Sequence, residues 1–176
     1  MRSKLGADFA RLFREFEDND PALEWCEDRL LETLLPARDT DHTVTAAGYE
    51  LAAGMSDAEV ATLAGLLQRR SYRPGDVLIQ AGDAARELFF LARGSVSVHL
   101  ALASGATRRL ATFSPGMAFG EMAVLDRAPR SAMIVADTAV ECDLLSLADF
   151  DALGETHPGI KIKLLKNLSL GLCSAA

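Results

Sequence analysis

Apolar residues in the first part of the chain recur at helical spacing. The first stripe places four side chains on one helical face at positions i, i+3, i+4 and i+7: Phe9, Leu12, Phe13 and Phe16. A second stripe begins after Pro21 and ends at Pro36. We therefore predict a helical segment over residues 1–36. The polar, Asp- and Thr-rich residues that come next predict a linker over residues 37–48.

Further along the chain, apolar residues recur at every second position. A helix comes first, because Ser56 and Glu59 form a capping-box pair ahead of an apolar stripe. Beyond Tyr72, short apolar runs are separated by Gly and Pro turns. These runs lie at residues 77–79, 88–91, 96–100, 110–113, 133–136 and 140–147, with a hairpin tip at Ser104-Gly105. Short strands separated by such turns predict an antiparallel barrel or sandwich.

Helical spacing returns at the carboxyl-terminal end of the chain. Ser146 is placed to cap a short helix that runs through Leu153, and Pro158 is placed to open a longer one. The order of helices, then strands, then helices indicates the α+β class, with helices flanking a β-barrel.

Composition and charge narrow the classes of partner. The 176 residues carry 18 Lys and Arg against 25 Asp and Glu, a formal net charge of −7. This balance argues against a nucleic-acid polymer, because binding to such polymers depends mainly on cations that contact phosphates. A local cationic site for a small anion remains compatible with this net charge.

The most apolar stretch, residues 88–103, is too short for a membrane span. Three cysteines that lie far apart in the sequence favour reduced thiols and a cytoplasmic location.

Residues 119–132 interrupt the strand pattern and bring candidate chemistry together. Gly120 permits a close approach of the backbone, and the residues after it can form a helical turn whose free amides attract an anion. Arg130 and the Ser131 hydroxyl follow across a Pro-containing loop. A guanidinium, several amides and a hydroxyl suit a single phosphodiester. The Glu121 carboxylate would repel that phosphate, so we expect it to face a donor such as a ribose hydroxyl, or else to orient Arg130.

Residues 119–132 resemble the phosphate-binding cassette of the cyclic nucleotide-binding domain family. The blocks that carry the resemblance are Phe119-Gly120-Glu121-Met122-Ala123 and Pro129-Arg130-Ser131-Ala132. Blocks at residues 72–76, 82–91 and 94–96 are similar to the early strands of that family. The resemblance extends over about residues 50–172. It implies an eight-stranded antiparallel β-roll that holds a cyclic nucleotide, with flanking helices that move on binding.

The resemblance also implies roles for individual residues. Arg130 is expected to pair with the cyclic phosphate, and Glu121 to accept the ribose 2′-hydroxyl. Backbone groups that complete the phosphate nest belong to Gly120, Met122 and Ala123. Ser131 would bond the phosphate or touch the base edge, and Val98 and Leu110 would line the apolar wall beside the base. The expected ligand is cAMP, with cGMP as the alternative, because Ser131 in place of a threonine leans toward adenine by family analogy.

Two features depart from the family pattern at the carboxyl-terminal end. The last helix begins near Pro158, and no aromatic residue that could stack on a base follows Phe150. The end of the nucleotide pocket that receives the base is therefore expected to be open. Alternatively, a neighbouring chain closes it, or the segment that would cover the base is missing. No helix-turn-helix motif follows the last helix.

The amino-terminal residues carry a second resemblance. Residues 16–31, which include Leu23-Glu24-Trp25-Cys26, are similar to the closing helix of a STAS domain, the fold of sulfate transporters and anti-sigma-factor antagonists. Such endings precede cyclic nucleotide-binding domains in some bacterial sulfate permeases and multidomain glutaminases. The resemblance implies that residues 1–36 end a STAS domain and that residues 49–176 form the nucleotide-binding domain. The chain would then be the carboxyl-terminal part of a longer protein.

Other interpretations of these residues stay open. Arg130 has an alternative role in a surface salt bridge with Asp126 or Asp137, and Glu121 has one in complementing a helix dipole. The three histidines lack metal-ligand spacing and no catalytic motif stands out, so neither a metal site nor catalysis is expected.

The expected function is a non-catalytic, cytoplasmic regulatory module. It would bind a cyclic mononucleotide and relay its occupancy through the flanking helices to a covalently joined amino-terminal domain. Neither a nucleic-acid polymer nor insertion into a membrane is expected, and a homodimer through the amino-terminal helices remains open. The alternative is a structural domain with a vestigial pocket that dimerises through residues 1–35.

Overall fold

The structure is a computed structural model that describes residues 42–101 and 107–174. These residues belong to one compact unit, Thr40–Ala176. The predicted helices and STAS resemblance of residues 1–36, and the predicted hairpin tip at Ser104-Gly105, lie outside the described residues.

Two short 3₁₀ turns, Ala46–Gly48 and Glu50–Ala52, precede the main elements. The described strands are β1 (Gln68–Tyr72), β2 (Val77–Ile79), β3 (Glu87–Arg93), β4 (Val96–Ala101), β5 (Thr107–Phe113), β6 (Ala118–Phe119), β7 (Met133–Ala136) and β8 (Val140–Ser146). The described α-helices are α1 (Asp57–Leu66), α2 (Glu121–Leu125), α3 (Leu147–Thr156) and α4 (Pro158–Ser174).

The strands form two sheets, and every described pair is antiparallel. One sheet has the strand order β1-β8-β3-β6, and the other has the order β2-β7-β4-β5. Helix α1 comes before the strands in the chain, and α3 and α4 come after them. The predicted α+β class and antiparallel β-roll with flanking helices are therefore confirmed.

Strand β3 lies between two apolar cores because successive side chains of a strand point to opposite faces. On one face, Leu88 and Phe90 pack with residues of the helices, including Leu63, Phe150, Leu153, Ile160, Leu164 and Leu168. On the other face, Phe89 and Leu91 pack inside the roll with residues that include Ile79, Val96, Phe119, Ile134, Cys142 and Leu144. The first sheet thus carries helices on one face and encloses the roll interior on the other.

The helix ends follow the capping residues that the sequence predicts. The Ser56 hydroxyl accepts from the Glu59 amide at 3.4 Å, while the Ser56 amide donates to the Glu59 carboxylate at 2.7 Å. Ser146 caps α3 by accepting from the amide of Asp149 at 3.0 Å. Each bond satisfies an amide that the first helical turn leaves without a partner.

A buried polar network ties the residues before α1 to the roll. The Tyr49 hydroxyl donates to Asp143 Oδ2 at 2.6 Å, and Arg69 donates to both oxygens of the same carboxylate at 2.8 and 2.9 Å. Burial acts to raise the pKa of Asp143, but the hydrogen bonds from Arg69 and Tyr49 outweigh it and lower that pKa. Burial and the Asp143 carboxylate raise the pKa of Tyr49, so its hydroxyl stays a donor.

The second 3₁₀ turn also contacts helix α4. Asn167 on α4 donates its side-chain amide to the carbonyls of Leu51 at 2.9 Å and Ala53 at 3.0 Å. On the roll side, the Glu50 amide donates to the carbonyl of Gly116 at 3.0 Å. The turn is therefore bonded both to the roll and to the last helix.

Candidate functional site

The cassette, residues 119–132, begins where β6 ends. Gly120 adopts a left-handed conformation with φ 78°, and α2 starts at the next residue. A Cβ atom at this position would lie 2.5 Å from Arg130 Nη1 and 3.1 Å from Ile79 Cδ1. Glycine therefore serves both the turn and the close packing of Arg130 against the backbone.

The Arg130 side chain is held inside the cassette by backbone carbonyls. The residue is 7% exposed. Its Nη1 donates to the Gly120 carbonyl at 2.6 Å, and its Nη2 donates to the Glu87 carbonyl at 2.6 Å. The guanidinium carbon lies 5.8 Å from the centre of the Phe89 ring. A guanidinium has more N–H donors than these two bonds use, so Arg130 retains donors for a further acceptor.

No carboxylate of the described residues lies within 4.0 Å of the Arg130 nitrogens. Asp126 accepts from the amide of Ala128 at 2.9 Å, and Asp137 binds the Ser97 hydroxyl and Arg109. The alternative salt bridge from Arg130 to Asp126 or Asp137 is therefore not formed in this structure. A buried cation is costly unless hydrogen bonds or an anion compensate its lost hydration, and the carbonyls of Gly120 and Glu87 supply part of that compensation.

Burial and the nearby carboxylates act on the pKa of Arg130 in opposite directions. Burial lowers the pKa of Arg130, whereas the carboxylates of Glu87, Glu121 and Asp83 act to raise it. The net direction is downward, but an arginine stays protonated at physiological pH. The acidic chain thus holds a buried positive charge at the cassette.

A turn between β2 and β3 fixes the backbone of Arg130. The amide of Gly82 donates to the Arg130 carbonyl at 2.8 Å, and the Arg130 amide donates to the Asp83 carbonyl at 2.8 Å. This reciprocal pair joins the Gly82-Asp83 turn to the end of the cassette. The side chain of Arg130 is therefore positioned by three separate segments: this turn, the start of β3 and Gly120.

Arg130 and Glu121 line different cavities. The cavity at Arg130 has a volume of about 370 Å³ and is also lined by Ile79, Asp83, Glu87 and Phe89. Glu121 lines a second cavity of about 640 Å³ between the second 3₁₀ turn, β5, β6 and helix α4. The two residues are linked through Gly120, whose carbonyl binds Arg130 and whose neighbour is Glu121.

Met122, Ser131, Val98 and Leu110 are not among the residues that line either cavity. Met122 is 53% exposed on α2, Ser131 is exposed, and Val98 is half-buried against the roll interior. Leu110 is 54% exposed at an irregularity of β5, because Val98 pairs with Ala111 while the next residue of β4 pairs with Arg109. Ala123 lies within α2.

The sequence patterns missed the residues that hold Arg130. The carbonyl of Glu87 and the ring of Phe89 contact its guanidinium, but backbone acceptors have no residue signature and Phe89 reads as one more core position. The Gly82-Asp83 turn was visible as a turn, but nothing in its spacing indicated that it pairs with Arg130. All of these groups contact Arg130, which is buried between Gly120 and the start of β3.

Comparison with known proteins places this geometry in a family. The profile of the cyclic nucleotide-binding domain matches residues 69–157, which contain the cassette and seven of the eight described strands in full, together with most of β1. The chain belongs to the cyclic nucleotide-binding domain family. Domains of this family are regulatory and non-catalytic, as in catabolite activator proteins and the regulatory subunits of protein kinase A.

Relatives of the domain occur in proteins of different kinds. The chain is 40% identical over 159 residues to glutaminase 2 of Bradyrhizobium diazoefficiens, a match that covers 90% of this chain and 25% of the glutaminase. It is 36% identical over 106 residues to the cyclic AMP receptor protein of Thermus thermophilus, covering 60% of this chain and 49% of that protein. The chain therefore spans about a quarter of the length of the glutaminases it matches.

Solved structures share the fold. The crystal structure of the Thermus thermophilus catabolite activator protein aligns with a TM-score of 0.65 and 33% identity over 72% of this chain and 59% of that one. The regulatory subunit of a cAMP-independent protein kinase A from Trypanosoma brucei aligns with a TM-score of 0.62 and 27% identity over 71% of this chain and 44% of that one. Likeness in fold thus extends to a neighbour described as cAMP-independent.

Three further features of the described residues concern membrane insertion, metal binding and thiol chemistry. No helix within residues 42–101 and 107–174 is both long and apolar enough to cross a membrane. The same residues contain no cluster of His, Cys, Asp and Glu that could hold a metal ion. Burial raises the pKa of Cys142 to about 12, so this thiol is protonated at neutral pH.

Proposed function

We propose that this domain binds a cyclic mononucleotide, with cAMP favoured, and that it reports occupancy to a partner domain through its flanking helices. The observation that carries the proposal is the buried Arg130 guanidinium, which is held by two carbonyls and has no carboxylate partner among the described residues. A cyclic phosphodiester supplies one negative charge and acceptor oxygens for its remaining donors.

The start of α2 supports the same assignment. The helix begins directly after Gly120, which has no side chain to cap the first amides. Amides at the first turn of a helix attract an anion when nothing else satisfies them. The proposed phosphate would thus be held by Arg130 and by the backbone of Gly120, Met122 and Ala123, and Ser131 lies beside Arg130 in the chain.

The position of Glu121 links ligand binding to helix movement. Glu121 lines the cavity against α4 and is not among the residues that line the cavity at Arg130. We propose that Glu121 accepts the ribose 2′-hydroxyl of a ligand anchored at Arg130, which requires the cassette and α4 to move relative to each other. Val98 and Leu110 on β4 and β5 would then lie beside the base.

Helix α4 offers a route from the cassette to the amino-terminal side of the domain. Asn167 on α4 binds the carbonyls of Leu51 and Ala53 in the segment that leads toward the amino terminus. A ligand shifts such an equilibrium only by its difference in affinity for the two positions of the helix. We propose that occupied and empty cassettes favour different positions of α4 and of this segment.

A covalently joined amino-terminal domain is the proposed recipient of the signal. The relatives that match most of this chain are glutaminases about four times its length, which supports a multidomain glutaminase as the parent. The sulfate-permease alternative and the STAS ending over residues 1–36 remain proposals from resemblance. A cytoplasmic location and a homodimer through the amino-terminal helices belong to the same proposal.

Titration calorimetry tests the ligand assignment. We expect the wild-type chain to bind cAMP more tightly than cGMP. Arg130→Ala is expected to weaken binding by about 2–5 kcal/mol, because a buried phosphate would lose its charged partner. Arg73→Ala serves as a control, since it removes the same charge from an exposed turn. Equal affinities of the Arg130→Ala variant and the wild type would overturn the site.

A structural role is the second candidate function. It is favoured by the two carbonyl bonds of Arg130, which already tie together Gly120 and β3 without any ligand. A vestigial pocket predicts no thermal stabilisation by cAMP, cGMP or cyclic dinucleotides at millimolar concentration, and a dimer in sedimentation equilibrium. Stabilisation by a cyclic mononucleotide, lost in Arg130→Ala, decides for the binding function.

A further inference from the structure

Glu87, at the start of β3, contacts the cassette arginine with its backbone and a different arginine with its side chain. Its carbonyl accepts from Arg130 Nη2 at 2.6 Å. Its carboxylate oxygen Oε1 accepts from Arg70 Nη2 at 2.8 Å. Glu87 therefore binds the buried guanidinium of Arg130 through its backbone, while its carboxylate pairs with Arg70.

The sheet register places Arg70 level with Leu91, four residues from Glu87 along β3, but on the same face of the sheet, so the two long side chains span the remaining distance. Strands β1 and β3 both pair with β8, so they lie on either side of it. Arg70 is opposite Cys142, whose side chain packs inside the roll, and Glu87 shares its β3 face with Phe89 and Leu91. Both side chains thus extend from the interior face of the sheet, at the edge where Glu87 and Phe89 line the cavity of Arg130.

Two observations make Glu87 a competitor for Arg130. Among the carboxylates around Arg130, that of Glu87 has the largest electrostatic effect on its pKa. The Glu87 side chain is also a quarter exposed, so it has room to change rotamer. Released from Arg70, this carboxylate would gain a charge-assisted hydrogen bond to Arg130 and would occupy donors that an anionic ligand needs.

We propose that Arg70 is a positioning residue that holds the Glu87 carboxylate away from Arg130 and so keeps the guanidinium available to an anion. The proposal rests on the proposed function, because the anion is the cyclic phosphate. Arg70 itself does not line the cavity of Arg130 and acts through Glu87.

A double-mutant cycle with cAMP as the probe tests this role. Arg70→Gln is expected to weaken cAMP binding about fivefold in calorimetry, the upper range for a partly exposed ion pair. The same substitution in a Glu87→Gln background is expected to have no effect, because the competing carboxylate is gone. Arg73→Gln, which removes an exposed arginine outside the cavity, is the control for net charge, and Arg70→Lys should restore most of the affinity.

The cycle separates the proposed role from a general field effect. If Arg70 acted only through its positive charge, Arg70→Gln would weaken binding equally in both backgrounds, and Arg70→Lys would restore all of it. Equal losses in the two backgrounds, or no loss in either, would overturn the proposal.

A measurement without ligand keeps this inference distinct from the binding function. In the free chain, the guanidinium ¹⁵N resonances of Arg130 should shift in Arg70→Gln and return in the Arg70→Gln/Glu87→Gln variant. The wild-type chain could bind no cyclic nucleotide while the resonances still shift in Arg70→Gln and return in the double variant. In that case the binding function fails, but the exchange of the Glu87 carboxylate between Arg70 and Arg130 is supported. Unchanged resonances in Arg70→Gln contradict the switching itself.

Discussion

Substitution of Gly120 by alanine perturbs the cassette at its tightest point. Gly120 has φ 78°, a region in which an alanine costs about 1–2 kcal/mol. The new Cβ would lie 2.5 Å from Arg130 Nη1, closer than a van der Waals contact allows, so the guanidinium must move. Loss of its two carbonyl bonds adds about 1 kcal/mol for each. We therefore expect Gly120→Ala to lower the free energy of unfolding by about 3–4 kcal/mol.

Gly75 provides a matched control for this substitution. It has φ +86°, but a Cβ there would have no atom within 4 Å. Gly75→Ala should therefore show only the backbone cost of about 1–2 kcal/mol in urea unfolding. Calorimetry with cAMP should show normal affinity for Gly75→Ala and at least tenfold weaker binding for Gly120→Ala. Equal stability and equal affinity of the two variants would refute the argument that Gly120 is required for the packing of Arg130.

Three further predictions concern the contacts around the roll. Asn167→Leu removes the donor to two carbonyls of the amino-terminal segment and should destabilise the domain by about 1–3 kcal/mol in urea unfolding, and an unchanged midpoint would contradict the contact. Tyr49→Phe should cost about 1–2 kcal/mol, because the Asp143 carboxylate loses a buried donor; retention of full stability would show that this bond adds nothing. The bond from Lys163 lowers the pKa of Glu59 from 4.5 to about 2, so its contribution to stability is present above pH 4.5 and is lost as the pH falls toward 2. Acid unfolding of Glu59→Gln should accordingly depend less on pH over this interval than that of the wild type, and identical pH dependence would be inconsistent with the Lys163 contact.

Much of the fold could be predicted because its signals are local. Alternating residues such as those of β4 indicate strands, and Ser56 and Ser146 mark the first turns of α1 and α3 within a few residues of sequence. The cassette was visible for a similar reason. Gly120 and Arg130 carry their own residue signatures, and the loop between them is short.

The rest depends on partners that are distant in sequence or have no signature. Asp143 lies in an apolar strand, and its partner Arg69 is 74 residues away. The carbonyl of Glu87, which holds Arg130, could belong to any residue type. The resemblance implies a place beside the base for Leu110, but this residue is 54% exposed at the irregular pairing of β5, which its own sequence position does not reveal.

The direction of Glu121 also could not be read from its spacing. The residue adjoins Gly120, yet it lines a cavity together with residues of α4, which lie more than 40 positions further along the chain. The proposed contact of Glu121 and Arg130 with one ligand therefore involves a movement of α4 that no local sequence pattern encodes.

Phosphorus NMR of cAMP tests the central claim most directly, because it observes the atom that Arg130 is proposed to hold. We predict that addition of the wild-type chain shifts or broadens the ³¹P resonance with saturation at one ligand per chain. The Arg130→Ala variant should leave the resonance unchanged, while Arg73→Ala should behave as the wild type does. A ³¹P resonance that wild-type chain leaves unchanged, or that Arg130→Ala perturbs equally, would contradict the account.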